Sequence, residues 1–127
     1  MKASDFMHSI LVVDDNQDIA MMLCEVLNSS GFVATTCYDG IEACKLITEV
    51  RPDLALIDLY LPGMNGNDIA EKLFKEFPDV KTKVIIMTGQ TPGFSDLPGV
   101  DKCHAIIYKP FGFSEAISTI KSILSAE

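Results

Sequence analysis

The sequence predicts an α/β fold, a parallel sheet with helices packed on both of its faces. Two observations predict it. Residues 10–13, 54–57, 84–87 and 105–108 form short runs that are continuously apolar, the pattern of strands buried on both faces rather than on one. Between these runs apolar residues recur at helical spacing, as they do where a helix lays one stripe against a core. Strand and helix therefore alternate along the chain, and that order gives parallel strands joined by right-handed crossovers.

The elements follow in sequence. After the first run, Ile19, Met22, Leu23, Val26 and Leu27 make a helical stripe that ends at Gly31. Residues 32–37 carry Thr35 and Thr36 and read as an edge strand. Ala43, Leu46, Ile47 and Val50 make a second stripe, stopped by Pro52. Ala70, Leu73, Phe74 and Phe77 make a third, stopped by Pro78. Phe113, Ala116, Ile117, Ile120 and Leu124 make the last. All of these stripes are read as core faces. One crossover departs from the pattern: residues 88–104 hold two prolines and three glycines, which disfavour a helix interior. A short, distorted or absent helix is expected there.

The chain has 127 residues, 48% of them apolar, with a net charge of −8. That size suits one domain able to bury a core without a staple. The acidity argues against direct nucleic-acid binding and against an anionic membrane surface, since both partners carry phosphate. No apolar stretch reaches transmembrane length. The run at 10–13 is too short for the apolar part of a signal peptide, and a cytoplasmic location is expected. Cys24, Cys37, Cys44 and Cys103 show no C-x-x-C spacing, and His8 and His104 stand apart. The cysteines read as small apolar residues in a reducing compartment rather than as disulfides or zinc ligands.

In open α/β sheets, ligands bind beyond the carboxyl ends of the strands. Asp14 and Asp15 follow the first run, Asp58 the run at 54–57, Thr88 the run at 84–87, and Lys109 the run at 105–108. Asp14 and Asp15 have two readings, as caps of the helix that follows or as ligands. Asp58 ends a buried strand and suits a cap poorly. Three carboxylates brought together repel, a bound cation relieves the repulsion, and hard oxygen donors suit Mg2+. Lys109 can pair with a carboxylate at rest and with a phosphoryl oxygen later, and a cis bond to Pro110 would aim it inward. Thr88 either bonds to nearby backbone or donates to an anion arriving at Asp58. Tyr108 is either plain core or an aromatic that changes position when Thr88 moves.

The residues Asp14-Asp15, then Asp58 with Leu61-Pro62-Gly63-Met64 and Gly66, then Thr88, then Lys109-Pro110-Phe111 resemble the receiver domain of response regulators. The resemblance covers nearly the whole chain. It implies a flavodoxin-like doubly wound sheet of five strands in the order 2-1-3-4-5. It implies that Asp58 accepts a phosphoryl group from a histidine kinase or phosphotransfer protein. Asp15, Asp58 and the backbone carbonyl of Tyr60 would bind Mg2+, with Asp14 helping through water. Lys109 would stabilise the phosphoryl charge, Thr88 would bond to it, Tyr108 would turn inward in response, and the Lys109-Pro110 bond would be cis.

Three features depart from the family. Tyr60 is bulky at a position that tunes dephosphorylation, Asn65 stands where an aspartate is common, and the Pro/Gly-rich stretch at 91–99 replaces the usual fourth helix. Residues 1–127 read as a single receiver domain with no effector region after Lys121, either a stand-alone regulator or part of a larger protein. The function implied is a phosphorylation-controlled interaction module acting on a downstream protein or effector. It would not be a turnover enzyme, showing at most weak self-phosphorylation from small donors and self-dephosphorylation. A pseudo-receiver that binds partners without phosphorylation is the alternative. An aspartate-nucleophile phosphatase of the haloacid dehalogenase type would want Asp-x-Asp where Asp14 is followed by Asp15 and Asn16. A flavin- or nucleotide-binding protein would want a Gly-rich or Ser/Thr-rich loop in the same place.

Overall fold

A computed structural model describes residues 8–89 and 93–125. Residues 1–7 and 90–92, on which part of the signal-peptide and crossover readings rests, lie outside the described residues. The strands are β1 (Ser9–Val13), β2 (Val33–Cys37), β3 (Leu54–Asp58), β4 (Lys83–Thr88) and β5 (Ala105–Tyr108); the helices are α1 (Gln17–Ser29), α2 (Gly40–Val50), α3 (Gly66–Glu76) and α4 (Phe113–Ser125). The strands form one sheet in the order β2-β1-β3-β4-β5, and every pairing is parallel. This is the flavodoxin-like order that the resemblance implied.

The sheet separates two apolar layers. On one face Val12, Leu56 and Met87 pack under α1 and α4. On the other Val13, Ile57 and Ile86 pack under α2 and α3. Adjacent residues point to opposite faces of a strand, so β1, β3 and β4 have to be apolar at nearly every position. Each fully buried aliphatic side chain contributes roughly 1.5–3 kcal/mol relative to exposure. β2 is the sheet edge and carries the two threonines.

The crossover between β4 and β5 is the expected departure. Its described residues form two three-residue 3₁₀ turns, Phe94–Asp96 and Val100–Lys102, each entered through a glycine with positive φ. Elsewhere the helix stripes are narrower than the sequence suggested. α1 buries Ala20, Leu23 and Leu27, while Ile19 and Met22 face outward; Val50, Phe74 and Phe113 are exposed too. The small side chains Ala20 and Ala116 lie fully buried, which lets these helices approach the sheet closely and leaves the flanking positions outside the contact. No helix among the described residues is long and apolar enough to cross a membrane.

Two local devices carry predictions. The Gly40 N–H donates to the Pro62 carbonyl at 2.9 Å, and a Cβ on Gly40 would fall 1.7 Å from the Met64 carbonyl oxygen. Gly40→Ala must therefore push the start of α2 away from the loop after β3. We expect a loss of about 2–4 kcal/mol, the range of severe overpacking, read as a fall in the urea midpoint. His104, just before β5, accepts the Val84 N–H on Nδ1 at 3.0 Å. Burial, and next the charge of Lys83, hold its pKa below the ordinary value near 6.5. The fold therefore favours the neutral ring: this stability is present above pH 6.5 and is lost as pH falls through the lower folded pKa. Melting temperature is expected to fall on acidification from pH 7 to pH 5, and the fall to be smaller in His104→Leu.

Candidate functional site

The strand register brings the chemistry to one edge. Val13 pairs with Ile57, Asp58 with Met87, and Thr88 with Tyr108, so the carboxyl ends of four strands stand level. Asp14 follows β1 and is only 1% exposed. Its N–H donates to the Cys37 carbonyl at 3.1 Å, and its Oδ1 accepts the Asn16 N–H at 3.0 Å, which turns the chain into α1. The cap of α1 is Asn16, whose Oδ1 accepts the Ile19 N–H. The capping reading of Asp14 and Asp15 is thereby replaced, and both carboxylates are left to the site. Asp14, Asp15 and Asp58 each place an oxygen within 4.8 Å of the others.

Lys109 reaches this cluster from the end of β5. Its Nζ donates to Asp58 Oδ2 at 3.1 Å and to Asp14 Oδ2 at 3.3 Å, and the Lys109-Pro110 bond is cis. One ammonium thus faces three carboxylates. Burial raises the pKa of Asp58 above the ordinary carboxylate value; Lys109 offsets part of this, and repulsion from Asp14 and Asp15 adds to it. Burial would lower Lys109, but attraction to Asp58 and Asp14 outweighs it and holds the ammonium above its ordinary value. The site therefore keeps uncompensated negative charge on hard oxygen donors, one of them buried. That donor set fits a divalent cation such as Mg2+.

The loop after β3 is fixed by backbone contacts. Leu59 N–H donates to the Met87 carbonyl and Gly66 N–H to the Leu59 carbonyl, while Asn65 Oδ1 accepts the Leu61 N–H at 3.1 Å. Asn65 supports the turn as its side chain allows. A Cβ on Gly66 would meet the Asp58 carbonyl oxygen at 2.6 Å, so glycine is what lets α3 start against the Asp58 backbone. Tyr60 sits on this loop with its ring half exposed, and among the described residues no backbone hydrogen bond engages its carbonyl.

Thr88 is buried, and its hydroxyl donates to the Gly89 carbonyl at 2.8 Å, the local-backbone option. Tyr108 is 42% exposed, so it is not plain core. Its ring meets Phe94 edge-on, centroids 5.8 Å apart. Thus Lys109 contacts Asp14 and Asp58, Asp15 lies in the same carboxylate cluster, and Thr88 and Tyr108 stand beside them in register.

The sequence did not single out Asn16 or Phe94. Asn16 was one of three adjacent residues able to cap, and nothing local ranks them. Phe94 touches Tyr108 only through the fold. Also missed was an apolar cavity of about 500 Å³ next to Lys109, lined by Ile19, Met22, Leu23, Pro110, Phe111 and Phe113. Its signal was the width of the α1 stripe, broader than one sheet contact needs. The four cysteines are free thiols; burial raises the pKa of each, that of Cys37 to about 11, so all are poor nucleophiles at neutral pH.

The model of the response regulator receiver domain matches residues 10–121. The DNA-binding response regulator MtrA of Mycobacterium tuberculosis is 36% identical over 116 residues, covering 91% of this chain and 50% of MtrA. The chain thus spans about half the length of that curated relative. Sporulation initiation phosphotransferase F of Bacillus subtilis is 32% identical over 120 residues, covering 91% of this chain and 92% of that protein. Response regulator protein TrrA of Thermotoga maritima, solved in complex with Mg2+ and BeF, aligns with a TM-score of 0.81 at 32% identity over 92% of this chain and 99% of its own. A CheY-like receiver domain protein from Methanospirillum hungatei aligns with a TM-score of 0.84 at 27% identity over 94% and 95%. The family match runs from β1 into α4, two curated relatives pass 30% identity along most of the chain, and the sheet has the strand order of these structures: the chain is a response regulator receiver domain of two-component signalling.

Proposed function

We propose that this domain accepts a phosphoryl group on Asp58 from a phosphohistidine donor, with Mg2+ held beside it, and that it signals through the resulting change of its surface. The observation that carries this reading is the Lys109 ammonium bridging Asp58 and Asp14 within a cluster of three carboxylates. Asp15, Asp58 and the Tyr60 carbonyl would hold the metal, with Asp14 acting through water. The metal supplies charge neutralisation for phosphoryl transfer. Asp58 is the nucleophile, and its carboxylate oxygen forms the bond to phosphorus while the donor nitrogen leaves. Lys109 keeps a positive charge where the equatorial oxygens gather negative charge. Thr88 offers the hydroxyl that bonds to the new group. The domain is a phosphoacceptor rather than a turnover enzyme. The Mg2+ and BeF in the TrrA structure support the same chemistry here.

A phosphohistidine donor has to cover the site to reach Asp58. The apolar cavity beside Lys109, with Met22 on its wall, suits the face of a helical donor domain. The reading is tested by titrating Mg2+ and beryllofluoride into the protein and following backbone amide resonances. Saturable shifts around Asp58 that need both components are expected, and their absence would refute the reading. Met22→Glu is expected to slow transfer from a cognate kinase by tenfold or more, about 1.4 kcal/mol of lost apolar contact, while leaving beryllofluoride binding unchanged.

A further inference from the structure

A second cavity lies toward the end of the sheet away from Asp58. The crossover between β4 and β5 is pinned to the first turn of α3, where the buried Asn67 donates from Nδ2 to the Pro98 carbonyl at 2.9 Å. Its second 3₁₀ turn, Val100–Lys102, then carries the chain on to His104. A turn of three residues is too short to cover the last turns of α3, and the Phe74 ring is left exposed. Between the end of α3, the start of β4 and this turn opens a cavity of about 290 Å³, walled by Leu73, Phe74, Phe77, Val80 and Val84. That volume is close to the lower bound of ordinary small-molecule sites. Val84 pairs with Ala55 and Met87 with Asp58, so the cavity and the carboxylate cluster lie toward opposite ends of β3 and β4.

Three polar side chains line the cavity, those of Thr82, Lys102 and His104. The Thr82 hydroxyl is already used, since it donates to the Pro52 carbonyl at 2.6 Å. Lys102 places its Nζ 4.2 Å from the centroid of the Phe74 ring, a cation over an aromatic face, which holds the ammonium at the rim of the apolar wall. Its ion pair with the exposed Asp101, at 3.4 Å, is a surface contact of little strength. His104 is fixed to β4 at two points: its N–H donates to the Val84 carbonyl at 2.7 Å and its Nδ1 accepts the Val84 N–H at 3.0 Å. A neutral ring that accepts on Nδ1 carries its proton on Nε2, and no hydrogen bond among the described residues engages Nε2. Lys83 adds a positive charge near the same ring. Among the described residues that line the cavity none is acidic, in a chain of net charge −8. Asp79, in the loop that forms part of the wall, is held by Arg51 at 2.9 Å. An apolar cavity with two convergent donors and no carboxylate fits one class of occupant. We propose that it is a binding site for a small amphipathic anion, a carboxylate on an aryl or branched alkyl body, with Lys102 and His104 receiving the charged end. The body packs between Phe74, Phe77 and Val84, and the carboxylate takes charge-assisted hydrogen bonds at the rim. The site does not depend on the reading of Asp58 as phosphoacceptor.

The test titrates phenylacetate into the full 15N-labelled chain and follows backbone amide resonances. Saturable shifts centred on Leu73, Phe74, Val84 and His104 are expected. Phenylacetamide has nearly the same shape without the charge, and is expected to bind roughly three- to tenfold more weakly, the scale of one hydrogen bond to a charged group at a partly exposed rim. Lys102→Gln is expected to bring phenylacetate down to the affinity of the amide, and Lys102→Arg, which keeps the charge, to preserve the preference. No saturable shift, or equal affinity for phenylacetate and phenylacetamide, would overturn the proposal. So would shifts centred on the cavity beside Lys109, or loss of the preference in Lys102→Arg as well as in Lys102→Gln. A concentration-dependent dimer that perturbs these same amides, with no response to phenylacetate, would assign the cavity to a second copy of the chain and overturn the proposal too.

Discussion

Asp58→Asn is expected to melt at a higher temperature than wild type in metal-free buffer and to accept no phosphoryl group. The Asp58 side chain is 14% exposed and shares a 4.8 Å cluster with Asp14 and Asp15. Burial and these two acids raise its pKa against the pull of Lys109, so its charge opposes folding at neutral pH. The amide has nearly the same shape and removes the repulsion, while the Lys109–Asp14 pair at 3.3 Å remains. A gain of about 1 kcal/mol, a few degrees for a domain of this size, is the expected scale. Mg2+ should reverse the order. A ligand present at a hundredfold excess over its Kd stabilises the folded state by about 2.7 kcal/mol, and the variant has lost both a donor and a charge. Calorimetry in EDTA and in Mg2+ measures both differences. A variant less stable than wild type in EDTA would contradict the electrostatic account of the site.

Lys109→Met is expected to separate metal binding from phosphoryl acceptance. At rest the ammonium holds oxygens of Asp58 and Asp14 and so competes with a cation for the same charge. Without it Mg2+ should bind more tightly. Acceptance should slow by roughly 10²–10³-fold, the usual cost of removing one charge-stabilising donor from the transition state. In metal-free buffer the variant should melt earlier than wild type, because the buried Asp14 loses its positive partner. Mg2+ should restore much of that loss. Isothermal titration with Mg2+ and the time course of phosphorylation by a small donor read the two effects separately. Weaker Mg2+ binding in the variant would mean that Lys109 orders the carboxylates rather than competing with the metal.

The central strands were legible because burial on both faces forces a continuous apolar run. Residues 10–13, 54–57, 84–87 and 105–108 sit within the observed β1, β3, β4 and β5. Asp14, Asp15, Asp58, Thr88 and Lys109 were legible for a related reason, since each follows such a run and parallel strands end at one edge. The helices were legible in place but not in orientation. Whether Ile19 and Met22 face core or solvent depends on how closely Ala20 lets α1 approach the sheet and on what lies beyond it. Arg51, left-handed at the C-terminus of α2 with φ 57°, was hidden as well, since only glycine and asparagine advertise that conformation in a sequence. The prolines and glycines of residues 88–104 signalled the departure from a regular helix that the described residues show, two 3₁₀ turns. They carried no trace of the contacts that replace it, Asn67 with Pro98 and Phe94 with Tyr108, which join residues far apart in the chain.

The most direct test of the central claim is the intact mass of the wild-type chain after incubation with acetyl phosphate, with and without Mg2+. A single phosphoryl adduct that requires Mg2+, is mapped to Asp58 by borohydride trapping and is absent in Asp58→Asn is the result expected. An adduct on another residue, or no adduct with either acetyl phosphate or a phosphorylated kinase, would contradict it.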